Sequence, residues 1–85
     1  MIDDAREPIA DLFDEGDHFV VIAELPGIEA RAVTWCVHDG RRVVIQAESA
    51  DRKYVKTLDL PALVNGEAAT SGCANGVMEL RLWKI

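Results

Sequence analysis

Apolar and polar positions alternate with a period of two along most of this chain. The runs read HFVVIAE from His18, VTWCVH over 33–38, RRVVIQAE over 41–48, KYVKTLDL over 53–60 and VMELRLW over 77–83. Val33, Trp35 and Val37 alternate with Thr34, Cys36 and His38, and Met78, Leu80 and Leu82 alternate with Val77, Glu79 and Arg81. That period sends successive side chains to opposite faces of a pleated strand, and the Val, Ile, Leu and aromatic content suits one. Glu15-Gly16-Asp17, Leu25-Pro26-Gly27, Asp39-Gly40, Asn65-Gly66 and Asn75-Gly76 punctuate the runs. Asp-Gly and Asn-Gly between alternating runs mark hairpins, because a type I′ turn needs positive φ at both central residues. The pattern therefore predicts one hairpin from 33–38 with 41–48 and another from a strand near 69–74 with 77–83. A first strand is expected near Ile9–Asp14, and a single helical turn at Ile28–Ala32. Strands at this spacing predict an all-β sandwich or barrel. Residues 1–8 read as a short, frayed acidic lead-in, 9–83 as a single domain and 84–85 as terminal residues.

Size and charge narrow the function classes. With 85 residues there is room for one domain. An apolar fraction of 49% with 28% charged residues is that of a globular chain. No apolar run approaches the ~20 residues of a membrane helix, so no membrane span is expected. The acidic start does not resemble a secretory signal, and two cysteines make no disulfide framework, so a soluble, cytoplasmic protein is expected. The net charge of -6 is concentrated at residues 1–17, where seven acids face the single base Arg6. No basic cluster could displace phosphate counterions, so no nucleic-acid partner is expected.

Candidate chemistry is sparse. His18 and His38 read as solvated imidazoles at strand ends, and the two cysteines and two histidines lack the paired short spacing of a zinc site. The acidic run from Asp11 to Asp17 lacks the EF-hand pattern and reads as a solvated edge that resists strand-to-strand aggregation. There is no phosphate-cradling glycine loop and no nucleophile beside an evident base. No enzyme, metal or cofactor is expected. Phe13, Phe19, Trp35 and Tyr54 read as sandwich packing, whereas Trp83, near the end of the last strand, is a candidate exposed contact for a partner chain.

The order of these elements resembles the α-crystallin domain of the small heat-shock proteins. The matching stretches are EPIADLFDEGD from Glu7, VVIAELPGI from Val20, DGRRVVI from Asp39, LDLP from Leu58 and ANGVMELRL from Ala74. Each is weak by itself; five in order, covering Glu7 to Leu82, are specific. The resemblance implies an immunoglobulin-like β-sandwich of about seven antiparallel strands and an ATP-independent holdase, or its core domain, that captures unfolded or apolar protein segments. It also implies a groove with Trp35, Cys36 and Val37 on one wall and Ala69, Ser71 and Cys73 on the other, the facing parity being open. Cys36 and Cys73 then lie on the strands bordering that groove, as two free thiols or as a redox-sensitive pair.

The departures from the family are informative too. Trp83 stands where a proline usually follows the last strand. About seven residues precede the first strand, in place of a long arm, and Trp83-Lys84-Ile85 carries no Ile-x-Ile motif. The connection Ser49-Ala50-Asp51-Arg52-Lys53 replaces the long loop whose strand swaps into a partner in bacterial and plant members. At ~3.3 Å per residue it reaches only about 16 Å. The usual strand-swapped dimer is not expected, and homo-oligomerisation by another route is left open. An adaptor or assembly co-chaperone with one dedicated protein partner is the alternative function.

Overall fold

The computed structural model describes residues 5–85. Seven strands form: β1 (Ala10–Asp14), β2 (His18–Glu24), β3 (Val33–His38), β4 (Arg42–Glu48), β5 (Lys53–Asp59), β6 (Thr70–Ala74) and β7 (Val77–Trp83). They divide into a four-stranded sheet of order β1-β2-β7-β6 and a three-stranded sheet of order β3-β4-β5, every strand pair being antiparallel. This is the all-β sandwich expected. The predicted helical turn is a 3-10 turn at Ala30–Ala32, and a second follows at Gly66–Ala68.

Both hairpins form as their turn residues require. Asp39 and Gly40 have φ of 54° and 70°, and Asn75 and Gly76 have φ of 54° and 76°. A Cβ on Gly76 would also lie 3.3 Å from the Leu25 carbonyl oxygen and the Pro26 Cα, so close backbone approach adds to the conformational demand.

Register fixes which side chains meet. Directly opposed residues of paired strands share a face, so Val43, Ile45 and Ala47 share the inner face of one sheet with Val33, Trp35 and Val37. Across the interior lie Phe19, Val21 and Ala23 of β2 and Met78, Leu80 and Leu82 of β7, all buried. Leu25, Ile28, Tyr54, Leu60 and Val64 complete the core. Phe19 and Tyr54 pack as expected, but Phe13 does not. It lies on the outer face of the edge strand β1 and is 47% exposed.

Both ends of the expected domain are exceeded. Arg6 is not frayed: its N–H donates to the Lys53 carbonyl, and its own carbonyl accepts from Val55 N–H, at 2.8 and 2.9 Å. This makes a parallel bridge to β5, reinforced by a Glu7–Lys56 ion pair and by burial of Pro8. At the other end, Lys84 N–H donates to the Asp17 carbonyl and Ile85 N–H to that of Leu63. The first acids of the lead-in, Asp3 and Asp4, lie outside the described residues. Among the described residues no helix is long and apolar enough to cross a membrane.

Candidate partner-binding groove

The facing edges of the two sheets, β3 and β6, bound the candidate groove. β7 settles the parity of β6: Ser71 opposes Leu80 and Cys73 opposes Met78, so Ser71 and Cys73 point inward, while Thr70, Gly72 and Ala74 point out. On β3, Val33, Trp35 and Val37 are half-buried and point inward. The Trp35 indole Nε1 donates to Ser71 Oγ at 2.9 Å, one side-chain bond joining the two sheets across the groove.

Trp35 separates two recesses. One, of about 180 Å³, is lined by Ala30, Val33, Trp35, Ser71, Cys73 and Met78. The other, of about 350 Å³, is lined by Trp35, Val37, Gly40, Gly66 and Glu67. Gly66 keeps the second one open, since a Cβ there would press to 3.3 Å from that of Val37. Their walls mix apolar and polar surface, the apolar part coming from Trp35 with Val33 and Met78 in one and with Val37 in the other, so each offers a partly apolar seat beside the indole. A larger recess, of about 540 Å³, lies between Gly27–Ala32 and the connection after β4. Glu29, Arg31, Glu48 and Ser49 line it, with Glu29 already paired to Arg31, and it has no aromatic wall to hold an apolar segment.

Of the residues expected in the groove, Trp35, Ser71 and Cys73 are brought together at the first recess and Val37 at the second. Ala69 packs against the core beside β6. Cys36 borders the second recess, but strand alternation turns its side chain to the outer face, where Sγ lies 3.1 Å from His38 Nε2. Both cysteines are free thiols. Val33, Met78 and the Gly66–Glu67 rim were not anticipated. The alternation Val33-Trp35-Val37 carries a signal for the first of these, whereas the turn after Asn65 carries none for the rim.

Trp83 is 37% exposed, as its position suggested. Its ring lies 4.4 Å from that of His18, tilted by 38°, and His18 Nδ1 sits 2.6 Å from Asp17 Oδ1. His18 is therefore packed rather than simply solvated. Its hydrogen bond holds the Asp17 carboxyl below the ordinary carboxylate range. Asp14 is lowered likewise, first by its bond from Lys84 and then by the Gly16 N–H. A depressed carboxyl stabilises the fold above the ordinary value of 3.8, and that contribution is lost as pH falls through the lower folded value. Lys84→Ala should accordingly raise the Asp14 titration midpoint toward 3.8, as read by NMR of its carboxyl carbon. An unmoved midpoint would mean that the Lys84–Asp14 bond does not persist in solution. Among the described residues no three His, Cys, Asp or Glu side chains cluster as metal ligands.

No protein-family model matches the chain, and comparison with curated proteins yields no match. Solved structures do match. Heat shock protein 16.0 from Schizosaccharomyces pombe superposes with a TM-score of 0.83 at 20% identity, over 95% of this chain and 68% of that one. A mutant of hsp14.1 from Sulfolobus solfatataricus gives 0.80 at 25% identity, over 92% and 75%. The hspA protein from Xanthomonas axonopodis gives 0.78 at 26% identity, over 91% and 92%. Identity this low leaves little sequence signal, while the backbone superposes over nine-tenths of the chain. With two antiparallel sheets in this order matching those structures over nine-tenths of its length, the chain has the fold of an α-crystallin-type domain, the sandwich of the small heat-shock proteins.

Proposed function

We propose that this domain is a chaperone-type binding module that holds extended apolar segments of other proteins in the β3–β6 groove without ATP. The observation that carries the reading is the pair of recesses that share the Trp35 indole as a wall, between two strand edges. An extended segment lying there would pair its main chain with an edge and place alternate side chains in the recesses. The similarity to heat shock proteins supports the same reading.

The test is suppression of light scattering from reduced insulin and from a heat-labile enzyme. Suppression at molar excess, without nucleotide, is expected; undiminished scattering would remove holdase activity and leave the fold.

A single dedicated partner is the second reading, favoured by the connection after β4. Ser49 N–H donates to the Arg52 carbonyl at 2.8 Å, and Arg52 Nη1 reaches the Pro26 carbonyl at 3.1 Å, so the loop is pinned down and holds no strand. A pull-down that returns one stoichiometric protein favours the adaptor; a broad set of heat-labile proteins favours the holdase.

A further inference from the structure

We propose that Cys36 and His38 form a nucleophile–base pair on the outer face of β3, a modification site that takes a low-molecular-weight disulfide of the glutathione class and holds half of it as a reversible mixed disulfide. The site goes beyond segment binding and stands whether or not the groove holds clients.

Cys36 and His38 are two positions apart on a strand whose side chains alternate, so both project from the same face. Sγ lies 3.1 Å from Nε2, within reach for a thiol to pass its proton to an imidazole nitrogen. No other side-chain bond or ion pair among the described residues engages the His38 ring. Arg42, directly across the ladder from His38, is taken up by Asp59 at 3.0 Å. Nδ1 is therefore left to carry the proton of the neutral ring, which makes Nε2 the acceptor.

Access and isolation complete the site. Both side chains are exposed, and Cys36 borders the open recess of about 350 Å³, so a small reagent can approach the sulfur. Cys73 supplies the contrast within the same chain. It is half-buried, points inward from β6 and has no histidine beside it among the described residues. Because the two thiols face opposite sides of their strands, Cys73 does not displace an adduct at Cys36, which persists until an external thiol removes it.

The chemistry is one exchange. His38 Nε2 takes the Cys36 proton as Sγ attacks one sulfur of the incoming disulfide. A bond forms from Sγ to that sulfur, the S–S bond of the reagent breaks, and its electron pair leaves on the departing thiolate, which takes the proton from His38. The reagent is the only oxidant, and its departing half is the product reduced. Only the thiolate attacks, and an unassisted thiol is a few per cent ionised near neutral pH. A base in contact therefore matters at pH 7 and ceases to matter above the free-thiol range, about 8.5. The charged groups near the pair are Arg42 on β4, Asp59 on β5, Asp39 in the turn after β3, and Glu67 across the recess.

The experiment mixes the whole chain with excess oxidised glutathione and follows the adduct by intact mass, with peptide mapping to assign it. Cys36 should react at least about tenfold faster than Cys73 at pH 7. His38→Gln should slow Cys36 by about tenfold at pH 7 and by less than about twofold at pH 9.5, where the thiol ionises unaided. Should that variant misfold, His38→Ala with recovery of the rate by free imidazole reads the same role. Equal rates at Cys36 and Cys73 would overturn the proposal, as would an undiminished rate in His38→Gln at pH 7. A deficit that persists at pH 9.5 would overturn it by giving the ring a steric part only. A disulfide between Cys36 of two copies, formed in place of the adduct, would overturn it by assigning the thiol to a second chain.

Discussion

Leu80→Ala should lower the unfolding free energy by about 3 kcal/mol, within the range for truncating a buried leucine. Leu80 is fully buried at the middle of β7, the strand that joins β2 to β6, and opposes Val21 on one side and Ser71 on the other. Met78 and Leu82 fill the same face, so neighbouring side chains already occupy the space into which the site could collapse. For a chain of 85 residues the whole stability is about 4–13 kcal/mol. This one truncation therefore removes a quarter or more of it, and should lower Tm by about 12–24 °C. Val77→Ala, on the outer face of the same strand and 43% exposed, should stay within about 0.5 kcal/mol. Urea denaturation of the two variants measures the contrast. Equal losses would mean that β7 does not present Met78, Leu80 and Leu82 to the core.

What could be read from the sequence was what local chemistry encodes. Asp39-Gly40 and Asn75-Gly76 announced their hairpins because both demand left-handed backbone, and both adopt it. The six residues from Val33 alternate cleanly because one face of β3 meets the interior and the other does not. The facing of that alternation was not legible, since a period of two is silent about which parity faces in. It took the pairing of Ser71 with Leu80 and of Cys73 with Met78 to orient β6, and the Trp35–Ser71 bond to orient β3 toward it. Cys36 was placed with the groove wall for the same reason.

Phe13 was misjudged as core because its type suits a core; its exposure comes from β1 being an edge, which is a fact of long-range pairing. β2 shows the opposite difficulty. Phe19, Val20, Val21 and Ala23 are all buried, on both faces, so the strand reads as a continuous apolar run with no alternation to orient it. Arg6 escaped notice because a main-chain bridge leaves no signature in side-chain type. The binding surfaces are the least legible part, being made where strands distant in sequence meet.

Trp35→Ala and Ser71→Ala should move client capture in opposite directions, if the β3–β6 groove is where segments bind. Removing the indole takes away the aromatic wall shared by both recesses. Aromatic anchors in such sites commonly account for 2 kcal/mol or more, so affinity for an apolar segment should fall by about thirtyfold or more. Ser71→Ala leaves the wall and removes only the acceptor that holds the indole at 2.9 Å across the groove. A half-exposed hydrogen bond of this kind stabilises by about 1 kcal/mol. An entering segment that must displace the indole spends that stabilisation in the native protein and not in the variant, so capture should strengthen by up to about fivefold. Both variants should remain folded, because Trp35 is only half-buried and Ser71 is exposed at the sheet edge. Indole fluorescence on titration with an apolar peptide reads the Ser71 arm, and suppression of insulin scattering reads both. If the two variants weaken capture equally, the Trp35–Ser71 bond is part of the binding surface and not a closure over it. If neither changes capture, segments bind elsewhere and the groove reading fails.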